Sequence, residues 1–103
     1  MDFKNKVEAF RNSCKMYRSE TEKLGSLDEN AILKKYIEDD VSFVEETFSK
    51  LEDECGLRAK NTVWELFVEE RTQVDVAFEM NMSRRQLQYL INKWLHAVFE
   101  DTE

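Results

Sequence analysis

The chain has 103 residues, with 22 acidic against 15 basic side chains for a net charge of −7, no proline, two glycines and two cysteines. That length holds one modest hydrophobic core. The scarcity of turn-forming residues excludes an all-β fold and favours an all-α chain of long helices. No apolar run approaches membrane-spanning length, and the start, Met1-Asp2-Phe3-Lys4, lacks the order of a secretory signal, so a cytoplasmic protein without a membrane partner is expected.

From Phe3 the apolar residues Phe3, Val7, Phe10, Cys14, Tyr17 and Leu24, with Thr21 between the last two, alternate in steps of four and three. This heptad seam predicts a helix packed lengthwise on another helix. Gly25 offers a stop, and Ser26 with Glu29 forms a capping box that starts a second helix. Leu33, Ile37, Val41, Val44, Phe48, Leu51 and Cys55 make one apolar stripe on that mostly acidic helix, with a kink allowed near Asp39-Asp40. Gly56 and Leu57 read as a helix stop with its hydrophobic contact. A third helix, from about Arg58 to Glu70, buries Ala59, Val63, Leu66 and Phe67, its face widened by Trp64 and Val68. Residues 1–56 are thus expected to form a helical hairpin of two long amphipathic helices, serving dimerisation or partner contact. Residues 57–103 form a C-terminal three-helix unit within one compact protein.

The twenty residues from Gln73, QVDVAFEMNMSRRQLQYLIN, carry the pattern of a helix-turn-helix. Thr72 is an N-cap with Asp75 three residues on. Val76, Ala77 and Met80 share a face, with the small Ala77 where two helices cross most closely. Asn81 stands at a turn position that needs positive φ, where asparagine substitutes for glycine. Met82 plugs the turn from beneath, and Ser83 with Gln86 makes another capping box. Leu87, Leu90, Ile91, Trp94, Leu95 and Val98 then face inward. Arg84, Arg85, Gln88, Tyr89, Asn92 and Lys93 are left on the outward face. Arginine can read guanine and Gln or Asn can read adenine in the major groove, so this face suits base edges. Val74 and Phe78, one turn apart on the first motif helix, would be a sticky patch if exposed. They are expected to pack under the N-terminal helices or against a partner.

The stretch SRRQLQYLINKW resembles the recognition helix of the Fis and NtrC-type C-terminal domain. TQVDVAFEMNMS followed by a long final helix is similar to region 4 of sigma factors and to phage regulators built like it. The resemblance covers about Ala59 to Val98. It implies a DNA-binding transcription regulator of bacterial, phage or mobile-element origin. By analogy with the Fis layout it also implies a homodimer paired through the N-terminal helices, with Phe3, Val7, Phe10 and Tyr17 as contacts. On this reading Arg84, Arg85 and Gln88 read bases with help from Tyr89 and Asn92, while Thr72, Gln73, Ser83 and Lys93 touch phosphates of double-stranded DNA.

The charge distribution leaves a competing reading open. Met1 to Leu27 carries six basic and four acidic residues, Asp28 to Leu57 three against ten, Thr72 to Phe99 three against two, and the tail from Glu100 none against three. DNA affinity rests on Lys and Arg neutralising phosphates, and long basic flanks are absent. An acidic protein-binding module or inhibitor, for example of the phage anti-CRISPR type, would instead engage a basic protein surface through the second helix. Cys14 and Cys55 read as reduced thiols and His96 as a core-edge residue. The carboxylate clusters lack the loop of a cation site. No metal, cofactor or catalytic site is expected, and hence no enzyme.

Overall fold

The computed structural model describes residues 2–26, 28 and 32–99. The chain is all-α, with five helices among the described residues: α1 (Phe3–Leu24), α2 (Ile32–Cys55), α3 (Leu57–Phe67), α4 (Gln73–Glu79) and α5 (Arg84–Phe99). The two long helices pack as a hairpin, and α3, α4 and α5 follow. No described helix is long and apolar enough to cross a membrane. The capping box of Ser26 with Glu29 and the acidic tail lie partly or wholly outside the described residues.

Each helix begins and ends for a local reason. Asp2 caps α1 by accepting the Asn5 N–H at 2.9 Å, and α1 stops at Gly25. Gly25 sits in the right-handed region, so this stop does not need the conformational freedom of glycine. Gly56 does need it: its φ of 98° turns the chain between α2 and α3 without a side-chain cap. Helix α2 runs unbroken through Asp39-Asp40, because the flanking Ile37 and Val41 are both buried and hold the helix down on one face.

One core joins both parts of the chain. It collects Phe10 and Cys14 of α1, Val44, Phe48 and Leu51 of α2, Val63 and Phe67 of α3, Val76 and Ala77 of α4, and Leu87, Ile91, Leu95 and Val98 of α5. Phe10 is at its centre, in ring contact with Phe43, Phe48, Phe67 and Phe99. Full burial of a Leu or Phe side chain of this kind stabilises the fold by roughly 1.5–3 kcal/mol.

Four expectations are corrected here. Phe10 of the α1 seam has no exposed surface left for a partner, and Phe3, Val7 and Tyr17 are partly buried against the chain's own core. Helices α2, α3 and α5 cover most of the apolar stripe that a dimer was expected to use. Leu33 is exposed, together with Ile32 and Tyr36, because the common core reaches only from Phe3 to Tyr17 on α1 and from Phe43 to Cys55 on α2. Leu57 is also exposed and makes no buried contact behind Gly56. Finally, α3 ends at Phe67, three residues before Glu70. The Val68 and Glu69 N–H groups both return to the Trp64 carbonyl, and that of Arg71 reaches the Glu65 carbonyl. This wrap puts Glu70 at a φ of 56° and ends the helix without a glycine.

Polar contacts line the hairpin interface. Ser13 donates to Asp40 Oδ1 at 2.6 Å and Tyr17 to Glu45 Oε2 at 2.7 Å. Burial, with Asp40 second, pushes the Cys14 thiol up to about 12, so it stays protonated at neutral pH. Burial and the Asp40 carboxyl beside it likewise push Glu20 up to about 7, and its Oε1 is buried without a hydrogen-bond partner.

Candidate nucleic-acid interface

The segment from Thr72 to Phe99 has the local geometry that its residues predict. The Thr72 hydroxyl oxygen accepts the Asp75 N–H at 3.1 Å and opens α4. At the other end of α4 Asn81 takes a φ of 56°, letting its N–H reach the Phe78 carbonyl and the Met82 N–H the Ala77 carbonyl. Asparagine tolerates this left-handed position because its short polar side chain can compensate locally. Ser83 and Gln86 close a reciprocal box: Ser83 N–H donates to Gln86 Oε1 at 2.8 Å, and Gln86 N–H to Ser83 Oγ at 3.1 Å. Ala77 is buried where α4 meets α5, and Met82 packs against the core under the turn.

Helix α5 therefore starts at a fixed point and turns a fixed face outward. Leu87, Ile91, Leu95 and Val98 are buried, with Leu90 and Trp94 partly so. Arg84, Arg85, Gln88, Tyr89, Asn92 and Lys93 are all exposed, Tyr89 at 67 %. Their offsets of one, four, five, eight and nine residues from Arg84 line one face of a helix with 3.6 residues per turn. No Asp or Glu occurs anywhere in α5, which is notable in a chain of net charge −7. The cations on this face meet no carboxylate on their own helix.

Gln73 is the link between the two motif helices. Its Oε1 accepts from Arg84 Nε at 3.2 Å and from Gln88 Nε2 at 2.9 Å. Thr72 and Gln73 are thereby brought to the same end of the surface as Arg84 and Gln88. The Thr72 and Ser83 oxygens are engaged as caps, so only their hydroxyl protons remain for an outside acceptor. Sequence reasoning assigned Gln73 only a phosphate contact and missed this clamp, although a glutamine at the first position of a motif helix was a visible clue.

Arg71, which no motif position singles out, fixes the approach to α4. Its guanidinium donates to both oxygens of Glu79, at 2.9 and 2.7 Å, and also to Glu65. The hydrogen bonds it donates to Glu79 and then Glu65 hold the guanidinium above its ordinary range, and Arg71 in return holds Glu79 below the usual carboxylate range. This arginine bolts α3 to α4 and leaves both carboxylates compensated.

Val74 and Phe78 do not pack under the N-terminal helices. They are 63 % and 82 % exposed, because the face of α4 that meets the core is already occupied by Val76 and Ala77. A cleft of about 610 Å³ with largely apolar walls is lined by Met82, Arg85, Tyr89 and Leu90 among others. His96 stacks on Phe3, with ring centroids 3.6 Å apart, and forms part of the α1–α5 contact. Comparison with known protein families, curated proteins and solved structures returns no match.

Proposed function

We propose that the chain is a sequence-specific transcription regulator that binds double-stranded DNA by laying α5 in the major groove. The observation that supports this reading best is the outward face of α5. It is free of acid, carries two arginines, and is held at a defined angle by the Asn81 turn and the Ser83 cap. Arg84 and Arg85 are suited to guanine, and Gln88 and Asn92 to adenine, each good bidentate pair contributing about 1–3 kcal/mol of discrimination. Clamping by Gln73 leaves Arg84 its two terminal nitrogens and Gln88 its carbonyl oxygen to meet base edges. The Gln73 amide N–H groups, the Thr72 and Ser83 hydroxyl protons and Lys93 are placed to donate to phosphates.

Selection of bound duplexes from a random-sequence pool tests the reading. The wild-type chain is expected to enrich a defined site, and Arg84→Ala with Arg85→Ala to lose that enrichment while keeping its helical content. A wild-type chain that enriches nothing, or a double variant that enriches the same site, refutes it.

The charge of α2 favours a second reading. Its eight carboxylates against three lysines, with Glu45, Glu46, Glu52, Asp53 and Glu54 all exposed, suit a basic protein surface. Charge reversal at Glu45 and Glu46 would then abolish partner capture and leave duplex binding unchanged.

A further inference from the structure

We propose that α1 is a second half of the DNA-binding surface, with Lys4, Arg11 and Lys15 holding the phosphate strand that flanks the groove read by α5. The proposal rests on the DNA-binding reading of α5 and adds to it a surface remote in sequence.

The placement comes from two clefts that share a residue. A cleft of about 390 Å³ between α1 and α5 is walled by Lys4, Glu8 and Arg11 on one side and Asn92 on the other. A second, of about 260 Å³, is lined by Arg11 and Lys15 of α1, by Glu70 and Arg71, and by Gln73. Arg11 belongs to both. Helix α1 therefore runs alongside the reading helix, from Asn92 near one end to the Gln73 clamp on Arg84 and Gln88 at the other. Asn92 and Gln73 both belong to the surface already assigned to DNA, so the α1 cations border it directly.

The charges on this stripe are available. Among the described residues Lys4, Arg11 and Lys15 make no ion pair, whereas Arg18 is committed to Glu69 at 2.8 Å and Arg71 to Glu65 and Glu79. The Lys6 ammonium donates to the Phe99 carbonyl at 3.1 Å, at the negative end of α5. Arg11 is also pre-positioned, its guanidinium lying 4.8 Å over the Phe67 ring. Lys4 and Lys15 are eleven residues apart, a rise of about 16 Å along the helix. That matches about five phosphates of axial rise on one strand of a duplex. Glu8 is the one carboxylate on the stripe between Lys4 and Lys15.

The arrangement also accounts for DNA binding by an acidic chain. Helix α1 has six cations against three carboxylates and α5 three against none, while the excess of acid lies on α2. Affinity for phosphate depends on the charge facing the duplex, which the total does not report.

The test is the salt dependence of duplex binding by the full chain. With Lys4, Arg11 and Lys15 all changed to Gln, the slope of log affinity against log salt is expected to fall by about 3, at about 0.9 per lost phosphate contact. Binding to a random duplex and to the wild-type-selected duplex should weaken alike, leaving the ratio between them unchanged. Because Arg11→Gln also removes the contact over Phe67, the pair Lys4→Glu with Lys15→Glu provides a variant that spares the core, and it should weaken binding further. Glu8→Gln should act in the opposite direction and tighten binding. A slope unchanged in both cation variants, with the wild type still selecting its site, overturns the role of α1 and leaves α5 as the reader. A wild-type chain that selects no site and shows no salt dependence overturns both.

Discussion

Glu70→Gly is expected to stabilise the protein, although it removes a side chain and introduces the most flexible residue. Glu70 and Asn81 both hold a φ of 56°. For an L-residue the left-handed region costs roughly 1–2 kcal/mol, and asparagine recovers part of that through its short polar side chain where glutamate does not. Glycine removes the cost, but its additional freedom in the unfolded chain takes back roughly 0.5–1 kcal/mol. Glu70 is exposed, so no packing is lost. The net gain is about 0.5–1 kcal/mol, which for a domain of this size is a rise in Tm of about 2–6 °C. Thermal unfolding followed by circular dichroism measures it, with two controls. Asn81→Gly should gain less than Glu70→Gly, since asparagine already tolerates the conformation. Glu70→Ala, which loses the carboxylate but keeps the steric cost, should gain less than glycine. If alanine and glycine stabilise equally, the effect is electrostatic and the backbone argument fails; if glycine destabilises, the α3 terminus is not wound as described.

Three further predictions address the core, the hairpin and the reading face. Ala77→Leu should cost about 1–3 kcal/mol by overpacking the α4–α5 crossing, where Ala77 is 3 % exposed; chemical denaturation showing no loss would mean that the two helices are not in close contact there. Glu20 is pushed up to about 7 by burial and by Asp40, from an ordinary value of 4.5, so the unfolded chain binds fewer protons between those values. Its contribution to stability is therefore fully present below about 4.5 and lost as pH rises through about 7, and Glu20→Gln should flatten the pH profile of Tm in that window. An identical profile in the variant would show that the carboxyl is well solvated. Gln73→Ala leaves the caps in place but frees Arg84 and Gln88, at about 0.5–1.5 kcal/mol for each hydrogen bond removed. Competition binding should show reduced preference for the selected duplex over a random one, and an unchanged preference would mean that the clamp does not orient the readers.

Much of the fold was legible because its signals are local. A four-and-three seam, a Ser-x-x-Gln box, an alanine at a crossing and an asparagine at a positive-φ turn each act within a few residues, so chain order alone exposes them. The α3 terminus was not legible, because it is held by Trp64 and Glu65 carbonyls and by the Arg71 bridge to Glu79 rather than by a glycine. Nor could an apolar stripe state its neighbour. The α1 seam fits a partner helix as well as three helices of its own chain, and only the tertiary arrangement shows that Phe10 lies among Phe43, Phe48, Phe67 and Phe99.

The charge pattern, too, reads differently along the chain and in space. Summed along the chain, the cations of α1 fall with the N-terminal hairpin and look unrelated to a motif that begins at Gln73. Folded, Arg11 shares one cleft with Asn92 and another with Gln73, so the basic stripe of α1 borders α4 and α5, more than sixty residues away in sequence. A recognition helix that drew its phosphate grip from α1 would have to be held rigidly against it, and the stacking of His96 on Phe3, the Lys6 bond to the Phe99 carbonyl and the Phe10–Phe99 ring contact supply that rigidity. Loosening this seam should therefore weaken duplex binding even where every DNA-facing side chain is intact.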